Sequence, residues 1–175
     1  SFPTRRSSDL VMVSPGEDVN STPLVCDGLV LVASNPQAAT PVHAQRVQAQ
    51  SQRWQQEGPR ALALDMVQQS TAQARQSPQL VQTVQDMAEA TPWAAFQAQG
   101  QLNASRPDGG PALARWSGPL LLLSGALDPW CGADKQALLL HSRPDALWHE
   151  LPDTGHYLPL ECPAELARLS DDFLN

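Results

Sequence analysis

The sequence contains no isoleucine, a single lysine (Lys135) and no apolar stretch longer than the five residues 119–123 (PLLLL). A bilayer-spanning helix needs roughly 20 apolar residues, so the sequence holds no such segment. Cysteine is scarce: Cys26, Cys131 and Cys162 lie far apart, with no C-x-x-C pair and no Cys/His spacing of the zinc-ligand kind. Neither a disulfide framework nor a metal site is indicated, no cofactor is expected, and a reducing, cytoplasmic compartment fits best. Positive charge is also in short supply, with 11 Lys plus Arg against 18 Asp plus Glu and a net charge of −7. No cationic surface is available to neutralise phosphates, so neither nucleic acid nor a membrane is expected as a partner.

The remaining composition belongs to a soluble globular chain: 175 residues, 42% hydrophobic and 17% charged, the length of a single domain. The 24 Leu, 11 Val and 3 Phe make a thin core, but one above the level at which a charged chain stays disordered. Sixteen prolines argue for many short elements. Residues 1–10 (SFPTRRSSDL) show no apolar periodicity and resemble translated sequencing-adapter read-through. They are expected to be a non-native leader, with more of the natural protein encoded upstream, and are set aside from fold reasoning. The Arg5-Arg6 pair is followed only by Val11-Met12-Val13, too short for the apolar region of a twin-arginine export signal.

Three regions follow. Within residues 11–36, the run 28–34 (GLVLVAS) is nearly all aliphatic and ends on Asn35-Pro36, which predicts a strand buried on both faces of a parallel sheet. Residues 37–105 differ sharply, holding 17 of the 18 glutamines. Such bias alone is compatible with disorder. Against that, Thr40-Pro41, Ser77-Pro78 and Thr91-Pro92 each read as a cap followed by proline at the first helical position. Leu80, Val84 and Met87 then recur at helical spacing, so a helical insertion is predicted. After a linker at residues 106–111, residues 119–124 (PLLLLS) and 147–151 (LWHEL) read as strands, and residues 133–140 as a helix. An amphipathic helix over residues 164–173 closes the chain, with Leu166, Leu169 and Phe173 on one face. The alternation implies an α/β fold, a parallel sheet with right-handed crossovers.

In such sheets, functional groups gather in loops at the carboxyl ends of the strands. One loop, residues 125–129 (GALDP), places Asp128 just past a strand end. Another, residues 153–156 (DTGH), places His156 at what would be the neighbouring end. An Asp that accepts a hydrogen bond from one imidazole nitrogen fixes the tautomer and leaves the other nitrogen as a base. Each residue also has a plainer reading: Asp128 before Pro129 fits a turn cap, and His156 fits a surface loop.

The ordered set of strand, helical insertion, LLLLSGALDP, helix, strand, GHYLPLECP and final helix resembles the carboxyl-terminal half of an α/β-hydrolase-fold protein, nearest to cap-bearing bacterial esterases and lactonases. The resemblance covers residues 24–175 and implies a partial α/β-hydrolase fold with Asp128 as catalytic acid, His156 as base and a helical cap. It implies hydrolysis of a small ester or lactone by a Ser-His-Asp mechanism. The nucleophile departs from the pattern: no G-x-S-x-G occurs, and Pro15 after Ser14 would remove the N–H that an oxyanion hole needs. The missing elements, an amino-terminal half of the same fold, are expected upstream.

Trp130, Trp54, Trp93 and Phe96 are candidates for an apolar substrate-binding wall, although such residues also serve as ordinary core. Cys131 follows Asp128 by three residues but has no base of its own in the sequence. Glu150 and Glu161 read as solvated or arginine-paired. A different class of function, a non-catalytic ligand-binding or scaffold protein on the same fold, remains open because fold does not fix function.

Overall fold

The aliphatic runs form a three-stranded parallel sheet in the order β1 (Leu29–Val32), β2 (Leu120–Gly125), β3 (Leu147–Leu151). The structure is a computed structural model and describes residues 28–70, 75 and 77–175. Ser14, Cys26 and residues 1–10 therefore lie outside the described residues. Val32 pairs with Leu123, and Gly125 with Leu151, so the ends of β2 and β3 are level.

All of β2 is buried. Successive strand side chains point to opposite faces, and both faces are covered. Leu121 and Leu123 pack with Leu151, Leu158 and Leu169 on one side. Leu120 and Leu122 pack with Leu113 and Leu139 on the other. This two-sided burial is why β2 reads as an unbroken apolar run. The same expectation for β1 needs correction, because its residues are only half-buried. Among the described residues β1 pairs with β2 alone and forms one edge of the described sheet. At the other edge β3 buries only Leu151.

Helices α1 (Pro41–Glu57), α2 (Pro59–Gln69), α3 (Pro78–Ala90) and α4 (Trp93–Ala104) lie between β1 and β2. The glutamine-rich stretch is thus mostly helical among the described residues. Thr40 and Ser77 cap α1 and α3 as expected, accepting from the amides of His43 (3.1 Å) and Leu80 (3.2 Å). The third predicted start is displaced. Pro92 itself occupies the cap of α4, and Thr91 closes α3, its hydroxyl donating to the Met87 carbonyl. The start of α2 was not predicted. Gly58, at φ 88°, ends α1 by donating to the Trp54 carbonyl and lets Pro59 begin a new helix directly.

The expected linker also does more than connect. Gly110 and Pro111 open α5 (Gly110–Arg115), ahead of β2. Helix α6 (Ala133–Ser142) is the crossover from β2 to β3. Past it, Arg143 is buried and donates to the carbonyls of Trp116 and Gly118 while pairing with Asp145, tying the entrances of β2 and β3 together. The chain ends with a short turn of helix, α7 (Leu158–Glu161), and α8 (Pro163–Leu174), whose Leu169 faces the sheet. No helix among the described residues is long and apolar enough to cross a membrane.

Candidate active site

Past β2 and β3 the chain forms two loops that lie against each other. The Asp128 loop donates from the Ala126 amide to the Leu151 carbonyl and from the Leu127 amide to the Thr154 carbonyl, each at 2.9 Å. Gly125 makes this approach possible, since a Cβ there would stand 2.2 Å from the Thr154 oxygen and 2.4 Å from that of Gly155. The turn into the histidine loop uses Asp153 at φ 57°, a left-handed conformation that Asp tolerates better than most residues.

In this setting Asp128 Oδ2 lies 2.9 Å from His156 Nδ1. The other carboxylate oxygen accepts from the amides of Trp130 (2.8 Å) and Cys131 (3.0 Å), so the turn that carries the acid also orients it. The Asp128 side chain has no exposed surface and that of His156 is 30% exposed. Burial pushes the Asp128 carboxyl up, but its bonds to His156 and to the two amides outweigh burial and hold it below the usual carboxylate range. Burial pulls the His156 ring down, while Asp128 and Cys131 push it up more strongly, to about 9. An ionised Asp128 only accepts hydrogen bonds, so the neutral imidazole keeps its proton on Nδ1 and presents Nε2 as the free base.

Glu161 has a different place from the one its sequence suggested. Its carboxylate accepts from the amides of Gly155 and Tyr157, both at 2.9 Å, and so brackets His156 on either side along the chain. The signal in the sequence is Glu161 one helical turn after the loop, where α7 aims it back at the loop's orphan amides. Tyr157 packs against Val67 and Leu80, anchoring the loop to α2 and α3. Cys131 joins the pair in space: its sulfur, a nitrogen of His156 and an oxygen of Asp128 all lie within 4.8 Å of one another.

Of the expected aromatic wall, Trp130 stands edge-on to His156 with ring centroids 4.8 Å apart. It also borders a groove of about 520 Å³ with Pro129 and, from α1 and α2, Arg46, Arg53 and Leu62. Trp54, Trp93 and Phe96 are placed elsewhere. They pack together between α1 and α4, Phe96 stacked on both tryptophans, with Trp54 and Phe96 centroids 4.0 Å apart and the two indoles tilted at 43°. That contact joins α1 to α4 with all three rings half-buried, where offset aromatic pairs add to the area they cover.

The model of a family described as the alpha/beta hydrolase family matches residues 6–169. No curated protein matches the chain. Among solved structures, the chain is similar to a thermophilic esterase from Thermogutta terrifontis, malate bound, at 23% identity, over 85% of this chain and 55% of that one, with a TM-score of 0.76. An enol-lactonase from Burkholderia xenovorans matches at 20% identity over 85% and 56%, TM-score 0.71. An esterase from Exiguobacterium antarcticum matches at 13% identity over 85% and 57%, TM-score 0.71. At these identities the likeness is one of fold, and the chain spans about half the length of each structure. With the family model covering most of the sequence and a parallel sheet of the same fold beneath it, the chain belongs to the alpha/beta hydrolase family.

Proposed function

We propose that this chain carries the acid and the base of a serine hydrolase acting on small esters or lactones. The observation behind this reading is the 2.9 Å contact of buried Asp128 with His156 at the carboxyl ends of adjacent parallel strands. His156 Nε2 takes the proton of a serine hydroxyl as that oxygen attacks the ester carbonyl. Asp128 stabilises the imidazolium so formed, and the same proton passes to the departing alkoxide. Water then repeats the cycle on the acyl-enzyme. Only neutral imidazole accepts the proton, so the raised affinity of His156 calls for alkaline operation.

The sequence has no G-x-S-x-G and spans about half the length of the hydrolases it matches. We place the nucleophile and the oxyanion donors in the remainder of that fold. Residues 37–105 serve as the cap over a core formed by residues 11–36 and 106–175. Trp130 borders the substrate, and Trp54, Trp93 and Phe96 act through the helices they hold together. Free cysteines at 131 and 162 accord with a reducing, cytoplasmic setting.

The test begins with the genomic sequence upstream of the Val11 codon. An in-frame extension with strand, G-x-S-x-G and helix is expected, and the extended protein should hydrolyse p-nitrophenyl acetate. His156→Ala in that protein should lower kcat by about 10⁴-fold. An extension with no nucleophile, or turnover indifferent to His156→Ala and Asp128→Asn, overturns the proposal. The first of these results would favour a binding protein on this fold.

A further inference from the structure

We propose that Asp128, Cys131 and His156 together form a site for a borderline-soft divalent metal ion, of the zinc and cadmium class. Three observations converge on it. The donor set is one cysteine sulfur, one imidazole nitrogen and one carboxylate oxygen, all within 4.8 Å of one another. Thiolate and imidazole donors select such ions over magnesium or calcium, and three protein ligands with a fourth position open is a common arrangement for zinc. The ligands are also held in place. Asp128 Oδ1 is engaged by the amides of Trp130 and Cys131, which turns Oδ2 toward the ring and keeps Cys131 on the same tight turn. Glu161 brackets His156 from both sides. Finally, the site is shielded without being sealed: Asp128 and Cys131 are buried, whereas 30% of the His156 side chain is open.

Metal–donor bonds of about 2.0–2.3 Å bring tetrahedral ligands to roughly 3.3–3.8 Å of each other, so the cluster must contract by about 1 Å, within reach of side-chain rotations. Asp128 Oδ2 and His156 Nδ1, at 2.9 Å, part by about 0.4 Å to admit the ion while the sulfur closes in. The ion takes the place of the proton they share, which moves to Nε2 of the neutral ring, and the Cys131 thiol gives up its proton to solvent. Under the hydrolase reading above, on which this consequence alone rests, a metal-held imidazole is withdrawn from base catalysis. Metal occupancy would therefore silence the enzyme.

The test uses the full 175-residue chain, kept reduced with a phosphine, and reads thiolate-to-cadmium charge-transfer absorbance during Cd²⁺ titration, which needs no turnover. The double variant Cys26→Ser/Cys162→Ser leaves Cys131 as the only thiol. In that background a saturable band with one ion per chain is expected. Cys131→Ser should abolish it, and His156→Gln or Asp128→Asn should weaken binding by about 10-fold or more. Circular dichroism of each variant before metal addition checks folding, and the two conservative changes stand in for any alanine variant that unfolds. Absence of a saturable band in the double variant, or binding unchanged by both His156→Gln and Asp128→Asn, overturns the proposal. Failure of ester hydrolysis in an extended protein would leave the metal site standing, so the two proposals fail separately.

Discussion

Replacing Asp128 by Asn removes the charge beside His156 while keeping the size of the side chain. The ring titrates at about 9 against an ordinary 6.5, a factor of about 300 in proton affinity. At full strength that difference is about 3 kcal/mol. Because 30% of the His156 side chain meets solvent, screening reduces the part that appears as folding stability to about 2 kcal/mol. In the variant only Cys131 still pushes the ring up against burial, so the His156 titration should move well down from about 9. The sign for stability follows from linkage. A group whose pKa is raised by folding stabilises fully below its unfolded value, here 6.5, and loses that contribution as pH rises through 9. Asp128, held low, contributes above its ordinary 3.8 and loses that contribution on acidification. Native protein should therefore exceed Asp128→Asn in stability most clearly near pH 5–6, with the gap narrowing toward pH 10. Imidazole proton NMR across pH, with His156→Gln to assign the resonance, and urea unfolding at both pH values measure the two effects. A native His156 that titrates near 6.5 and does not move in Asp128→Asn would refute the coupling.

Other perturbations probe the frame around the pair. Leu122→Ala, at a side chain with no exposure on β2, should destabilise by about 2–5 kcal/mol, whereas Leu147→Ala on exposed β3 should stay within about 0.5 kcal/mol in urea titration. Gly125→Ala forces a methyl against the Thr154 and Gly155 carbonyls, so we expect a loss of about 3 kcal/mol and a His156 pKa shifted down as the two loops part, both read on the purified variant. Glu161→Ala leaves the amides of Gly155 and Tyr157 without their acceptor. The expected loss is about 1–3 kcal/mol, with faster hydrogen exchange at those two amides and a smaller effect for Glu161→Gln. In an extended, active protein, kcat/KM should climb with pH toward 9 as His156 loses its proton, and a flat profile from pH 6 upward would contradict that.

Local signals carried much of the architecture. The unbroken aliphatic run of β2 announced a strand covered on both faces, because only such a strand tolerates apolar residues at every position. Thr40-Pro41 and Ser77-Pro78 marked helix starts since capping chemistry is confined to a few consecutive residues. Asp128 and His156 were legible as a pair because strand ends in a parallel sheet share one edge, and their loops follow neighbouring strands. The half-exposure of β1 was not legible, since it depends on which strand lies beside it and not on its own composition.

The roles of Glu161, Gly125 and Cys131 were decided by tertiary structure. Glu161 matters through two amides that the chain presents only after α7 turns it back on the loop. Gly125 matters because another loop's carbonyls arrive 2.2–2.4 Å from where its Cβ would be. Cys131 had no partner in the sequence, and folding brought His156, 25 residues further along the chain, beside it. Likewise Trp54, Trp93 and Phe96 read as candidates for a binding wall, yet helix packing turned them on one another. Sequence by itself determined the three strands, several helix starts and the pairing of Asp128 with His156, all written in short-range pattern. The packing of one loop upon another settled the rest, because contacts between residues distant in the chain leave no periodicity to read.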